Sequence, residues 1–298
     1  MKKLVVGVLS IVLFTTIGFS QVMIKAVKIG DKIDVTINKR FFTSYIFSEY
    51  EKYPFFFPVN GPSGSGVTSM RNGVWPHHSS LFLGCDKLNG GDYWNKEMER
   101  GRIVSVRDAI IENNGPRVVI ENDCVWKRPG AESPIKDFRR ITITVPSPEQ
   151  IQIDFDVKLE MLTDVTIEKT NHSFFSGRMD ASLCVENGGT MIDADGAQGE
   201  KATFGKPSPW IDCFGKRGNK IEGMAIMQHP TNNWYPSPWF TRDYGFFSPT
   251  PMYFPPDDKN TYIKKGEVVH LKYRVLVHSG TNETAKIAEA FAKYAAEK

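Results

Sequence analysis

The chain is poor in the features that announce the common enzyme machineries. It has no GxSxG nucleophile elbow, no phosphate loop and no dinucleotide fingerprint, so a serine hydrolase of that kind, a P-loop nucleotidase and a Rossmann dehydrogenase lack a basis. Cysteine is scarce: Cys85, Cys124, Cys184 and Cys213 are the only four, and no CxxC occurs. Their spacing selects no pairing, which leaves disulfides in any of three arrangements or four buried free thiols. Charge of one sign is also missing. With 37 Lys+Arg against 34 Asp+Glu the formal net charge is only +3, and both signs are interspersed. No basic stripe is present, so nucleic acid is not an expected partner. None of the six histidines stands at the His-x-His or His-x-x-x-His spacing of a zinc site. No cofactor is predicted on that basis, although ligands from separate segments could still assemble a divalent metal site. Internal repeats and low-complexity linkers are absent, and helical period is confined to one stretch.

One long apolar run is present, at the start. Lys2 and Lys3 precede an apolar stretch from Leu4 to Phe14, and Gly18-Phe19-Ser20 before Gln21 makes a small-residue cleavage site. Residues 1–20 read as a secretory signal peptide, too short to span a membrane. No later segment approaches spanning length, so no stable membrane insertion is expected once the signal is cleaved. The expected location is periplasmic or secreted. Residues 21–298, about 278 in all, fit one large all-β domain.

Alternation of apolar and polar residues carries that fold reading. Ile33, Val35 and Ile37 alternate with Asp34 and Thr36, and 41–47 continues them. Residues 102–112 and 117–126 flank a turn-like Asn113-Asn114-Gly115-Pro116, and 138–145 alternates cleanly. The clearest strand places Ile151, Ile153, Phe155, Val157, Leu159 and Met161 on one face; 269–277 repeats the pattern. Only 282–296 has helical period, with Ile287, Ala288, Phe291 and Tyr294 on one side. Many strands and one C-terminal helix predict a large antiparallel β-sandwich.

Two long segments, 53–100 and 188–256, break the strand rhythm and are rich in Gly, Pro, Asn, His and Trp. On a compact β-scaffold such insertions tend to carry function. The first holds Pro76-His77-His78, Asn89, Asp92 and Trp94. On an extended backbone adjacent side chains point opposite ways, so at most one of the two histidines should face a given site. The second holds residues 229–245, HPTNNWYPSPWFTRDYG, too rich in proline for a buried strand and too aromatic for a solvated loop. Between the two lies Asn171-His172-Ser173-Phe174-Phe175 with Arg178. His270 and His278 fall out of phase with the last strand's apolar residues and read as surface residues. No carboxylate pair stands out as a glycosidase acid and nucleophile.

These blocks together resemble a family labelled methane oxygenase PmoA-like. The resemblance rests on Tyr53-Pro54-Phe55 with Pro58, Pro76-His77-His78, Asn89-Gly90-Gly91-Asp92-Tyr93-Trp94, the 171–175 block with Arg178, and Trp210-Ile211-Asp212. It rests above all on His229-Pro230, Asn232, Trp239 and Arg242-Asp243-Tyr244-Gly245. Relatives continue the double histidine with Arg-Gly-Leu, where this chain has Ser79-Ser80-Leu81. The label does not imply methane oxidation, since the monooxygenase subunit is a multi-span membrane protein. The resemblance implies an exported bacterial protein of carbohydrate metabolism and polysaccharide degradation, with a supersandwich similar to galactose mutarotase.

The function expected from residues and resemblance together is histidine acid/base chemistry on an oligosaccharide, as a lyase or dehydratase, an epimerase or a hydrolase. His78, His172 and His229 are the candidate catalytic residues, because an imidazole titrates near working pH. His77, Asn89, Trp94, Arg178, Asn232, Trp239, Arg242, Asp243 and Tyr244 are the candidate substrate-binding residues. Aromatic planes pack on sugar faces, and an arginine fork matches a carboxylate or a pair of hydroxyls. Arg242 and Asp243 could instead form an ion pair that staples their own loop. The alternative for the whole chain is a non-catalytic carbohydrate-binding β-sandwich.

Overall fold

The computed structural model describes residues 22–71, 73–95, 97–253 and 259–297; the signal-peptide reading of residues 1–20 lies outside them. Strands β1 (Ile24–Ile29), β2 (Lys32–Ile37) and β3 (Arg40–Ile46) form an antiparallel meander, extended by β4 (Phe55–Val59) and β5 (Leu81–Cys85). The chain then builds long hairpins from β6 (Arg102–Glu112), β7 (Arg117–Lys127), β8 (Ile135–Ser147) and β9 (Gln150–Met161). The short β10 (Val165–Ile167) leads back to β11 (Ser173–Arg178), which pairs with β5. Strands β12 (Thr190–Asp193), β13 (Trp210–Arg217) and β14 (Lys220–Gln228) follow, with a one-turn helix α1 (Gly199–Thr203) before β13. The hairpin β15 (Trp239–Arg242) and β16 (Phe246–Pro249) joins β11. Finally β17 (Thr261–Ile263) pairs with β10, β18 (Val268–Ser279) lies between β14 and β9, and α2 (Ile287–Ala295) ends the chain.

Two eight-stranded antiparallel sheets result, in the orders β1-β2-β3-β4-β5-β11-β16-β15 and β12-β13-β14-β18-β9-β8-β7-β6. Their inner faces meet through Phe175 of β11, whose ring lies 5.1 Å from that of Phe155 on β9 and 4.9 Å from that of Tyr273 on β18. Gly177 belongs to the same inward set. A Cβ there would come within 2.8 Å of Ile226 and 3.1 Å of Met224, so the sheets approach closely because that position has no side chain. The fold is thus the expected all-β antiparallel sandwich, with one substantial helix among the described residues, at the C-terminus.

Where one face is wet, the strands coincide with the alternation. Where both faces are covered they do not, and 53–100 and 188–256 contain β4, β5 and β12 to β16 rather than loops alone. Every residue of β5, β11 and β16 is buried, which erases the period-2 signal. His278 shows the same effect. It is fully buried beside Asp212 at 2.9 Å, not at the surface, because α2 packs over that end of β18 and Gly223 opposite leaves room for the ring. His270 stays half-exposed, with Asp156 at 2.6 Å. In α2, Ile287, Phe291 and Tyr294 face the sheet as expected, whereas Ala288 is exposed. All four cysteines are buried free thiols. Among the described residues no helix is long and apolar enough to cross a membrane.

Candidate functional site

Side chains alternate across a strand. With Phe175 and Gly177 facing the second sheet, Arg178 must point to the opposite, outer face of the first. Phe246 of β16 is its register partner and shares that face. The turn carrying His77 and His78 and the segment carrying Trp94 cover this face at Phe246, and the chemistry-bearing residues collect there.

His172 precedes β11. Its Nδ1–H donates to Asp86 Oδ2 at 2.9 Å, and Asp86 Oδ1 accepts from the Thr170 hydroxyl. The His172 amide donates to the same hydroxyl at 3.0 Å, while the Asp86 amide donates to the His172 carbonyl. A carboxylate on Nδ1 fixes the tautomer and leaves Nε2 as the free base. Trp94 stacks on the imidazole with centroids 5.3 Å apart and planes at 25°. Trp94 is itself set by Asp92, whose Oδ1 accepts from the amides of Trp94 and Asn95.

Both adjacent histidines join this group. The chain turns at Pro76 and His77 instead of running extended, so the two rings meet edge to face at 4.5 Å, against the expectation that only one would serve. His77 also lies 6.0 Å from His172 by ring centroids. The Tyr53 hydroxyl donates to the His77 carbonyl at 2.7 Å, and the Arg71 amide donates to the His78 carbonyl, which pins the turn. His78 packs flat between Phe246 at 4.5 Å and Trp75 at 5.7 Å. Burial, then the neighbouring His77 and Arg178, push its pKa down to about 2, so it is a neutral ring at any working pH. Burial lowers His77 as well, with His172 adding to the effect.

Tyr244 closes the group from the tip of the β15–β16 hairpin. Gly245 makes that turn possible: its φ is +91° and a Cβ would sit 2.9 Å from Cys184 Sγ. The Tyr244 ring stacks on Trp75 at 5.3 Å and carries the Arg178 guanidinium 4.4 Å above its centroid. Arg178 is only 4% exposed, and among the described residues its Nε and Nη1 lack hydrogen-bond partners, as do His78 Nδ1 and Trp94 Nε1. Buried polar groups are normally paired, so this concentration of unpaired atoms makes the cluster the candidate site. By contrast, a cavity of about 650 Å³ at one end of the sandwich is lined by Ile37, Phe41, Phe42 and Pro146 without any histidine or carboxylate.

The structure therefore brings together His77, His78, Trp94, His172, Arg178 and Tyr244 from the expected set, and adds Trp75 and Asp86. It places the other expected residues elsewhere. His229 packs on the outer face of the second sheet: its Nδ1 meets Thr231 Oγ1, its Nε2 meets the Glu297 carbonyl, and its ring abuts Tyr294. Among the described residues its side chain makes no contact with the cluster around His172. Asn232 is occupied with the backbone of Lys272, accepting from its amide and donating to its carbonyl. Trp239 is completely buried and donates to the Ser208 carbonyl. Asn89 ties its loop to β10 through the Thr166 amide and the Asp164 carbonyl. Arg242 and Asp243 bond to Glu200 and not to each other or to the cluster, among the described residues. Arg242 pairs with Glu200 Oε1 at 2.9 Å, and Asp243 accepts from the Glu200 amide at 2.7 Å. Among the described residues no group of three or more His, Cys, Asp or Glu is placed to hold a metal.

Trp75 and Asp86 had weak signals in the sequence. Trp75 directly precedes Pro76-His77-His78, and Asp86 ends the apolar strand 81–85, where a rigid element can aim a side chain.

Compared with known proteins, the chain matches the family of unknown function DUF6807 over residues 32–292, and it belongs to that family. No curated protein matches it in sequence. Solved structures resemble it only distantly. A kojibiose phosphorylase from the human microbiome has 8% identity over 66% of this chain with a TM-score of 0.33. A polysaccharide lyase has 12% over 89% at 0.32. A galactose mutarotase related enzyme from Lactobacillus acidophilus has 8% over 87% at 0.32. The chain spans 25% of the phosphorylase and 34% of the lyase, against 99% of the mutarotase-related enzyme.

Proposed function

We propose that this DUF6807 protein is an exported carbohydrate-active enzyme that works by proton transfer to the His172–Asp86 pair. One observation carries the reading: His172 has its Nδ1 committed to a buried carboxylate and its Nε2 without a hydrogen bond among the described residues, in the cluster that holds the unpaired atoms of His78, Trp94 and Arg178. That is the arrangement of an oriented general base. His77, half-buried and neutral, is the partner placed to relay or return the proton. Trp75 and Tyr244, both partly exposed, offer flat apolar surface of the kind that packs on a sugar ring. The reading of residues 1–20 as a signal peptide supports export, and the likeness to PmoA-like sequences enters as shared motifs alone.

The test is incubation of the purified protein with a panel of oligosaccharides, products being followed by mass and by ultraviolet absorbance, with Asp86→Asn and His172→Ala as controls. A positioning role for Asp86 predicts that Asp86→Asn lowers kcat by about 10²–10⁴-fold with little change in KM, and that the pH profile moves with it. His172→Ala should keep ligand binding and lose turnover. Saturable binding with no product from the unaltered protein would replace this reading by that of a carbohydrate-binding β-sandwich.

A further inference from the structure

Arg178 poses an electrostatic problem that no described residue solves. The residue is 4% exposed, and burial lowers its pKa, the sign of a cation removed from water. Among the described residues it forms no ion pair, and its side chain makes no hydrogen bond; Nε and Nη1 are buried without partners. Glu186, which acts on it from a distance, is exposed and unbonded to it. The neighbouring Cys184 thiol gives no counter-charge, because burial raises its pKa to about 11. The contrast with Arg139 is informative: that arginine is buried as deeply, yet it is clamped by both oxygens of Asp137. Burying an uncompensated cation costs several kcal/mol, so the compensation must arrive with the ligand.

We propose that the ligand is an acidic sugar, a uronic acid residue, whose carboxylate is held by Arg178; this rests on the carbohydrate reading of the site. A single planar cation matches a monoanion. The rings beside it add no positive charge, since burial keeps His78 and His77 neutral at working pH. A phosphate dianion would therefore find too little counter-charge, whereas a carboxylate takes two parallel N–H bonds from one guanidinium. The Tyr244 ring lies 4.4 Å beneath the guanidinium, and Trp75 extends that aromatic surface to meet the pyranose carrying the carboxylate. His78 Nδ1 and Trp94 Nε1 remain as neutral partners for ring hydroxyls.

Calorimetric titration with three matched ligands tests this: a uronic acid oligosaccharide, its methyl ester and the neutral hexose oligosaccharide, with acetate and sulfate as small-anion arms. The free acid should bind at least tenfold more tightly than ester or neutral sugar, a charge-assisted hydrogen bond exceeding 1.4 kcal/mol. Arg178→Gln should bind acid and ester alike. Equal binding of acid, ester and neutral sugar by the unaltered protein overturns the carboxylate assignment while leaving the carbohydrate reading in place. Binding of acetate or sulfate without any sugar, or of nothing in the panel, overturns both. Should Arg178→Gln fail to fold, the acid-to-ester ratio of the unaltered protein still decides.

Discussion

At the scale of single residues, the site consists of groups that the fold holds at a cost. Among the described residues, His78 and Trp94 are almost fully buried with a ring nitrogen unpaired, and Arg178 is a cation without an anion. Such positions lower stability in exchange for a preorganised ligand contact. Arg178→Met makes this measurable. The methionine stem follows the space of the arginine stem and keeps an apolar contact with Tyr244, while the uncompensated charge is gone. The variant should be more stable than the unaltered protein by about 1–3 kcal/mol, read as a higher urea midpoint at unchanged slope, and should lose binding of the acidic ligand. A lower midpoint would mean that the guanidinium is already compensated in the free protein. Removing a well-paired arginine such as Arg139, held by Asp137, should act in the opposite direction.

At the scale of elements, the hairpin that presents Tyr244 is braced from outside the site. Asp243 accepts from the Glu200 amide at the first turn of α1, and Glu200 returns the contact by pairing with Arg242. Asp243 thus caps a neighbouring helix, and Asp243→Ala should cost about 1 kcal/mol. It should leave ligand affinity close to that of the unaltered protein, since the carboxylate points to α1 and not to the cluster; a large loss of affinity at full stability would return Asp243 to the binding residues. This is where the sequence misleads. The 229–245 block is dense in aromatic and charged residues, yet only Tyr244 reaches the cluster. His229, Asn232, Trp239, Arg242 and Asp243 are spent on fixing the segment to α1, α2, β18 and the Ser208 carbonyl. Residue type shows that a side chain has polar atoms, not which partner takes them. Conversely, β9 was legible because one of its faces is wet, while β5 and β11 were not, because both of theirs are buried. Only the three-dimensional pairing of β5 with β11 brings His172 next to Asp86, and no spacing in the sequence encodes it.

At the scale of the whole molecule, two buried histidines, one in the turn against the first sheet and one on β18 of the second, set opposing slopes in stability against pH. His78 has a pKa lowered from 6.5 to about 2, first by burial. Below about pH 6.5 the unfolded chain takes up a proton that the folded ring refuses, so stability present above that pH is lost as the pH falls. His278 behaves in the reverse sense. Burial disfavours its charge, but the Asp212 carboxylate at 2.9 Å outweighs burial and raises its pKa above 6.5. Its contribution is complete below pH 6.5 and disappears as the pH rises through the higher folded value. Together the two terms place a stability maximum near pH 6.5. Urea titrations from pH 4.5 to 8.5 should show it, and each slope should be separable by substitution. His78→Gln should flatten the acidic side and leave the alkaline side unchanged. His278→Gln should lower stability most at pH 6.5 and below, and the gap to the unaltered protein should narrow as the pH rises. Parallel curves for either variant and the unaltered protein would show that the ring in question does not titrate with folding. Because His278 lies on the second sheet beneath α2, its substitution should leave the acid-to-ester binding ratio of the first sheet's cluster untouched, whereas His78→Gln should alter it.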